Sequence, residues 1–184
     1  MSGKDPDRYR SNVGLALFHK NGLVFLGKRK GAAPPYQWQM PQGGIDRGEE
    51  PRAAALRELE EEAGVPPVLV DVIDETTDWL YYDFPPDLRM GAGPKGRWLG
   101  QKQKWFAFRF HGRDADVQLD KHKPEFSDWR WGTLAETPRL VIPFKRAIYE
   151  DVARRFRRHA EASPGTKSGD ASASPSGDRS GGTS

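Results

Sequence analysis

The chain has 184 residues, enough for one domain with a modest tail and too few for two full hydrophobic cores. It contains no cysteine, which excludes disulfides, thiolate chemistry and cysteine-based zinc or iron–sulfur sites. An aromatic content of 11% excludes a wholly disordered chain, and the net charge of +3 weakly favours anionic partners.

The first half of the chain predicts a hairpin, a short strand and a helix. Two apolar runs, 13–18 and 23–27, flank Asn21-Gly22, a dipeptide typical of tight hairpin turns. A third run, 38–40, leads into the glycine pair at 43–44. A helix is predicted to begin at Pro51, a residue suited to the first helical position, and to end at Gly64.

The second half predicts three more strands and a final helix. Strands are expected at 68–74, 79–82 and 102–110, and a long loop is expected at 85–100, which is rich in proline and glycine. The last helix, from about residue 144 to 158, places Phe144, Ile148, Val152 and Phe156 on one stripe. The predicted fold is a single mixed α/β domain layered as helix, sheet and helix.

The two ends differ in composition from this domain. Residues 1–7 are polar and predict a flexible N-terminus, the folded domain is expected to span 8–160, and 161–184 predict a disordered tail of small and polar residues. No apolar run approaches the roughly 18 residues of a membrane span, and no signal peptide is evident. We therefore expect a cytoplasmic protein, without a membrane association or an evident obligate protein partner.

Residues 43–65 contain a spaced pattern of glycines and acidic residues. The specified positions are Gly43, Glu49, Arg57, Glu58, Leu59, Glu61, Glu62, Gly64 and Val65. On the predicted helix Glu58, Glu61 and Glu62 stand at i, i+3 and i+4, so their carboxylates project from one face. Clustered carboxylates repel one another unless a cation lies among them, and their hard oxygen atoms suit Mg²⁺ or Mn²⁺. Arg57 is expected to pair with Glu49 or with one of the cluster's carboxylates.

This pattern resembles the signature of the Nudix hydrolases without a substitution. The resemblance implies an α/β/α sandwich with a mixed sheet, and water attack on a phosphorus atom of a nucleoside polyphosphate. It implies that Glu58, Glu61 and Glu62 bind a divalent cation, Mg²⁺ first with Mn²⁺ or Zn²⁺ as alternatives, and that one of them helps activate the water. Gly43 would add a backbone carbonyl near the metal, and Glu49 and Arg57 would orient the catalytic groups.

Five flanking stretches are similar to one branch of that family, the bacterial RNA pyrophosphohydrolases and the dinucleoside tetraphosphate hydrolases. They are 9–14, 38–45, 100–106, 124–131 and 144–146. The similarity implies that Glu125 is a further metal ligand or base, with an exposed loop glutamate as the alternative. It also implies that the substrate contacts include Arg10, Arg29, Trp38, Gln42, Tyr82, Phe144 and Lys145. Phe144 could instead belong to the core.

Lys102 and Lys104 alternate with glutamines on the predicted strand 102–110 and share the face of Phe106 and Phe108. Lysines that point inward without a purpose are rare because burial of an unpaired charge is costly. We therefore expect both lysines to bind phosphate in the cleft, with a solvated pair on the surface as the alternative.

The expected activity is removal of pyrophosphate from the 5′-triphosphate end of RNA, which leaves a 5′-monophosphate and promotes RNA decay. Two alternatives stay open. Pro143 and the Tyr81-Tyr82-Asp83 run are closer to the members that hydrolyse dinucleotides such as diadenosine tetraphosphate. A non-catalytic nucleotide sensor on the same scaffold is less favoured, because the acidic positions are all filled.

Overall fold

The computed structural model describes residues 3–89, 97–122 and 124–161. Within them the strands are β1 (Tyr9–Phe18), β2 (Val24–Arg29), β3 (Trp38–Gln39), β4 (Gln42–Gly44), β5 (Val70–Glu75), β6 (Leu80–Asp83), β7 (Gly100–Phe110) and β8 (Phe126–Gly132). The helices are α1 (Pro51–Ala63), α2 (Pro86–Arg89), α3 (Thr137–Leu140) and α4 (Arg146–Ala160), with a short 3₁₀ turn at Pro143–Lys145.

The described strands form one mixed sheet. Its main path is β3-β2-β1-β7-β5, with β4 paired to β1, β6 to β7 and β8 to β2. β1 and β7 run parallel along ten residue pairs, from Tyr9 opposite Gly100 to Phe18 opposite Arg109, and the other pairs are antiparallel. These two strands are buried on both faces over most of their length, as parallel strands at the centre of a sheet usually are.

Helices cover the sheet on both faces. α1 buries Ala54, Ala55, Leu59 and Ala63 against Phe108 and its neighbours, while α4 packs on the opposite face. Complete burial of a leucine such as Leu59 contributes roughly 1.5–3 kcal/mol. The expected α/β/α layering and mixed sheet are confirmed. No helix of the described ranges has the length and apolar character needed to cross a membrane.

α1 has the bounds that its end signals predict. Pro51 occupies its first turn, and Gly64 ends it with a left-handed φ of 66° while its N–H donates to the Glu60 carbonyl at 2.9 Å. A Cβ at position 64 would lie 2.0 Å from the Gln118 carbonyl oxygen, so any other residue there would strain both the backbone and this contact.

Other predicted boundaries shift by a few residues. The strand expected from Val68 begins at Val70, because Pro67 opens a 3₁₀ turn over 67–69 and leaves Val68 exposed. The last α-helix begins at Arg146, after the 3₁₀ turn that starts at Pro143. The loop expected at 85–100 contains α2, and its residues 90–96 lie outside the described residues.

The ends of the predicted domain are described only in part. Lys4 forms an ion pair with Asp83 at 2.9 Å, and Pro6–Arg8 forms a 3₁₀ turn, so part of segment 1–7 contacts the domain. The predicted tail from residue 162 onward lies outside the described residues. Flexibility of the first segment and disorder of the tail stay predictions.

Candidate active site

A cleft opens where α1, β4, the N-terminal ends of β1 and β7, and the Pro143–Lys145 turn meet. It consists of a cavity of about 510 Å³ and an adjoining one of about 350 Å³. Glu58, Glu61 and Glu125 line both cavities, so the two volumes form one site. Its two sides carry opposite charge.

The acidic wall consists of Glu58, Glu61, Glu62 and Glu125. The first three come from one turn of α1, as their spacing predicts, and Glu125 is added by the loop immediately before β8. The side chain of Glu58 is 12% exposed and Glu62 is 4% exposed, whereas the side chain of Glu61 is 46% exposed. The structure therefore gathers four carboxylates that are separated by up to 67 positions in sequence, from 58 to 125.

Arg57 ties this wall to the loop that precedes α1. Its Nε and Nη2 each donate to Glu49 at 2.8 Å, and Nη2 also donates to the Gly44 carbonyl at 2.8 Å. Its Nη1 donates to Glu58 at 2.8 Å and to Glu61 at 3.3 Å. Both pairings expected of Arg57 are present, and one guanidinium fixes the orientation of three carboxylates.

Pairing with Arg57 lowers the pKa of one carboxyl group at this site, whereas burial raises the pKa of two others. Hydrogen bonds from Arg57 lower the pKa of Glu49 to about 2. Desolvation by burial raises the pKa of Glu58, and it raises the pKa of Glu62 well above its usual value, with the negative charge of Glu125 as the next cause. Without a cation, the buried part of the acidic wall favours protonation.

Gly43 lets strand and helix approach closely at this wall. A Cβ at position 43 would lie 1.8 Å from the Glu58 Cδ, so only glycine fits while Glu58 keeps its place. Gln42, which precedes Gly43, donates its backbone N–H to Glu62 Oε2 at 2.9 Å. β4 thus sets the position of two of the glutamates on α1.

The donor chemistry of the acidic wall fits a divalent cation. Four carboxylates beside one cavity supply the hard oxygen atoms that Mg²⁺ and Mn²⁺ prefer. Within the part of the chain that the structure describes, no three acidic or histidine side chains already stand at metal-binding geometry. Arg57 holds Glu58 and Glu61, and the Gln42 N–H holds Glu62, so cation binding would require side-chain rotations within one helical turn.

The polar wall faces the acidic wall across the larger cavity. The cationic residues among its described lining are Arg10, Arg29 and Lys145. Both arginines are exposed, whereas Lys145 is only 6% exposed and donates from Nζ to the Gln42 Oε1 at 3.0 Å. These three cations could neutralise a polyphosphate whose other oxygen atoms face the acidic wall.

A network of amide side chains adjoins Gln42, the hydrogen-bond partner of Lys145. Gln103 Nε2 donates to Asn12 at 3.3 Å and to Gln101 at 3.1 Å, and the Trp105 indole N–H donates to Gln103 at 2.9 Å. The Tyr82 hydroxyl donates to Gln101 at 2.7 Å. Burial raises the pKa of Tyr82, so this hydroxyl remains a donor at neutral pH.

Phe144 is half-buried at the rim of the cavity. Its ring centroid lies 5.8 Å from that of Tyr82 and 6.4 Å from that of Phe84. It therefore packs on the core of the α4 side and also lines the cavity, so both readings of this residue have structural support.

Lys102 and Lys104 do not lie where the sequence predicted. Neither lines the cleft, and both ammonium groups lie over the Trp79 ring, on the sheet face opposite Gln101 and Gln103. Strand alternation turns Gln101 and Gln103 towards the cleft instead. Trp38 also lies outside the cavity lining, with the Arg130 guanidinium 5.0 Å from its ring centroid.

Several lining residues were not anticipated. They are Asn12, Gln39, Phe84, Leu88, Gln101, His122 and Ile142. The sequence contains the information needed to find Gln101, because it alternates with Lys102 and Lys104 and therefore lies on the same side of the strand as Trp105. His122 precedes Glu125 by only three positions, but no spacing rule predicted that it would reach the acidic wall.

Comparison with known proteins places this geometry in a family. The sequence profile of the NUDIX domain matches residues 8–152. An RNA pyrophosphohydrolase of Caulobacter vibrioides is 48% identical over 162 residues, which is 87% of this chain and 92% of that protein. One of Acidiphilium cryptum is 49% identical over 164 residues, covering 88% and 98%.

Solved structures agree on the fold. A crystal structure of an Ap4A hydrolase from C. elegans, in a binary complex, aligns with a TM-score of 0.55 at 20% identity and covers 80% of this chain and 98% of that one. At this identity the likeness concerns the fold alone. The chain belongs to the Nudix family.

Proposed function

We propose that this protein hydrolyses the 5′-triphosphate end of RNA, releasing pyrophosphate or two phosphates and leaving a 5′-monophosphate. The observation that carries the proposal is the charge division of the cleft, with four carboxylates facing Arg10, Arg29 and Lys145. Relatives at 48% and 49% identity over most of both chains bear the name of that activity, which supports it further.

Glu58, Glu61, Glu62 and Glu125 would hold the divalent cation, together with the backbone carbonyl of Gly43. Such a cation, when bound, neutralises phosphate charge and favours ionisation of the attacking water. Glu61 is the most exposed member of the α1 triad, so its carboxylate can reach a water in the cavity. We assign Glu61 or Glu62 as the group that accepts the proton from this water.

Glu49 and Arg57 position the acidic wall. Arg57 contacts Glu58 and Glu61 directly, and its two bonds to Glu49 fix the plane of the guanidinium. On cation binding, Arg57 would keep Glu49 and the Gly44 carbonyl as partners while the α1 carboxylates turn to the ion. This leaves the arginine charge compensated in both states.

The polar wall would bind the triphosphate and the adjacent nucleotides. Arg10, Arg29 and Lys145 supply positive charge, while Gln42 and Tyr82 supply hydrogen-bonding groups beside Lys145. Phe144 offers a ring at the cavity rim on which a nucleobase can stack. Because a triphosphate alone has no base, this contact would favour nucleotides over inorganic polyphosphate.

An RNA with a 5′-monophosphate is a better substrate for many ribonucleases than one with a triphosphate, so the reaction would promote RNA decay. We place it in the cytoplasm, where bacterial transcripts are found. The tail from residue 162 is proposed to be dispensable for the reaction.

A product assay tests the proposal. Purified protein with Mg²⁺ is given triphosphorylated RNA or diadenosine tetraphosphate at equal concentration, and both reactions are repeated with EDTA. We expect metal-dependent conversion of the RNA to its monophosphate at the higher kcat/KM. Cleavage of the dinucleotide alone would establish the dinucleoside polyphosphate alternative, and binding without product in any reaction would identify a sensor.

A further inference from the structure

A second surface, which combines basic and aromatic side chains, lies on the sheet face opposite the one from which Gln101 and Tyr82 line the larger cavity. The basic-aromatic surface consists of Trp79, Tyr81, Lys102 and Lys104. The Lys102 and Lys104 Nζ atoms lie 5.3 and 5.6 Å from the Trp79 ring centroid. All four residues are half-buried, so each side chain is packed in part and remains partly accessible to solvent.

The two lysines have different surroundings. Lys104 Nζ donates to the Thr76 carbonyl at 3.2 Å and also to that of Thr77, and so fixes the turn that carries Trp79. Lys102 is directed to the same ring by its cation–π contact. Lys104 therefore positions the ring, and Lys102 is placed to meet a ligand.

The positive charge of this surface is not cancelled locally. In the described ranges neither Lys102 nor Lys104 forms an ion pair. Asp78 is close enough to feel the charge of Lys104, but its carboxylate is held by Arg155 through bonds of 2.7 and 3.1 Å. An anion that approaches Trp79 thus meets two lysines and a carboxylate that is already paired.

The cleft and the basic-aromatic surface use the two faces of the same strand pair, β6 and β7. Tyr82 pairs with Gln101, and both line the larger cavity, while Tyr81 pairs with Lys102 on the opposite face. Among the described strands, β6 pairs only with β7, so no described strand borders its other edge. A chain that leaves the cavity beside Tyr82 would cross this edge to reach Trp79.

Single-stranded nucleic acid is the ligand that fits this chemistry, because cations follow its backbone while aromatic faces stack on its bases. We propose that the basic-aromatic surface binds the RNA that follows the nucleotides held in the cleft, an inference that rests on the proposed function. Hydrolysis would then depend on substrate length through KM, with the chemistry at the 5′ end unchanged.

Substrate length separates this role from a role in the cleft. Steady-state kinetics would compare a triphosphorylated dinucleotide with a triphosphorylated single strand of about twelve nucleotides that begins with the same two. For Lys102→Gln we expect the KM of the longer RNA to rise about threefold to tenfold, with kcat and the KM of the dinucleotide unchanged, and the salt dependence to weaken by about one ion. Lys20→Gln removes the same charge beyond the far end of β1 and should behave as wild type.

Substitutions of Trp79 provide a second test, in which a conservative aromatic variant should restore RNA affinity. Trp79→Leu should reproduce the length-dependent rise in KM, and Trp79→Phe, which keeps an aromatic face, should restore most of the lost affinity. Melting temperatures of both variants show whether the turn at Thr76 and Thr77 survives. If Phe and Leu at position 79 give the same KM in folded protein, stacking on this ring is excluded.

Binding of a 5′-hydroxyl RNA tests the surface without catalysis. Fluorescence anisotropy with a labelled strand of about twelve nucleotides should show weak affinity that Lys102→Gln reduces and Lys20→Gln does not. Equal KM changes for both triphosphorylated substrates would place Lys102 in the cleft, and a changed oligomeric state of Lys102→Gln would identify a contact between copies; either overturns the proposal. If wild type binds the 5′-hydroxyl strand through Lys102 but hydrolyses no triphosphorylated RNA, the proposed function fails and the surface stands.

Discussion

The two walls of the cleft are built in opposite ways. The acidic wall draws three of its four members from one turn of α1 and leaves them close to one another, so that burial and like charge raise the pKa of Glu58 and Glu62. The polar wall collects Arg10, Arg29 and Lys145 from separate elements and holds Lys145 by a hydrogen bond to the Gln42 amide. Arg57 compensates only part of the negative charge of the acidic wall, so a cation can supply the rest, whereas the polar wall presents cations to an anion.

Removing one buried charge from the acidic wall should have the largest effect. Glu62→Gln keeps the shape of the side chain and resembles the protonated form that burial favours, so the metal-free variant should be at least as stable as wild type. With Mg²⁺ its turnover should fall on the order of 10²-fold or more, and it should gain less stability from the ion than wild type does. Turnover and melting temperature, each with Mg²⁺ and with EDTA, check both signs.

Glu60→Gln is the matched control for this prediction. It makes the same substitution on the same helix, at a side chain that pairs with Lys121 at 2.9 Å outside the cleft. Its turnover should stay near wild type. A Glu62→Gln protein that is destabilised without metal and still turns over normally would show that the acidic wall is structural.

Neutralising the polar wall should affect substrate use and leave the metal response intact. Lys145→Gln removes the buried cation that contacts Gln42, and we expect kcat/KM to fall roughly tenfold to hundredfold, as for loss of a charged hydrogen bond. The stability gained from Mg²⁺ should match wild type. The control is Arg146→Gln, which removes the same charge from an exposed neighbouring residue. An equal fall in kcat/KM in both variants would show that the net positive charge of this region matters, and not a direct contact between Lys145 and the substrate.

Phe144→Ala should have a smaller effect on the same wall. Loss of a base–aromatic stack costs about 1–3 kcal/mol, which corresponds to a fall in kcat/KM of roughly fivefold to more than a hundredfold, and we expect the lower part of that range because the ring is only half exposed. Phe144→Leu, which preserves packing against Tyr82 and Phe84, separates stacking from core packing. If the alanine variant unfolds while its folded fraction binds substrate normally, Phe144 is a core residue.

The smallest effect concerns acid stability. The pKa of Glu49 lies at about 2 in the folded protein, below its ordinary value of 4.5, because Arg57 hydrogen-bonds its carboxylate. The folded state therefore binds fewer protons at this group than the unfolded state does, so the stabilisation is complete above 4.5 and is lost as pH falls from 4.5 towards 2. Urea unfolding across that range should show a shallower loss for Glu49→Gln than for wild type, and identical slopes would contradict the assignment.

Glu50→Gln serves as the control for the predicted loss of stability at low pH. It changes the adjacent residue, which is exposed and whose side chain makes no hydrogen bond at the start of α1. Its stability should follow the wild-type profile.

The acidic wall was largely predictable from sequence because its geometry is local. Helical spacing alone brings Glu58, Glu61 and Glu62 to one face, and Pro51 and Gly64 fix the ends of the helix that carries them. The position of Glu125 came from resemblance to relatives and not from spacing, since its approach to Glu62 depends on how β8 joins the sheet.

The cations of the polar wall were among the residues named from the sequence, but the contribution of β7 was harder to predict because β7 is buried on both faces. In a strand with one wet face, hydrophobic alternation shows which residues turn inward, but β7 carries Trp105 and Ala107 on one side and Phe106 and Phe108 on the other. Periodicity then gives two sets of residues without saying which set meets the cleft. The sequence places Lys102 and Lys104 on the face of Phe106 and Phe108, whereas the face with Gln101 and Gln103 meets the cleft.

The parallel pairing of β1 with β7 has a consequence for synthesis on the ribosome. β4 and α1 follow β1 closely in sequence, so the α1 glutamates can be placed against β1 once about the first third of the chain has emerged. Tyr9, in contrast, waits for Gly100, and the apolar residues of β1 stay without their long partner until then. Non-local pairs of this kind form late and leave strand edges open to aggregation. A nascent chain stalled before residue 100 would therefore carry the α1 glutamates, without Glu125, beside an exposed strand edge, a state that chaperones recognise.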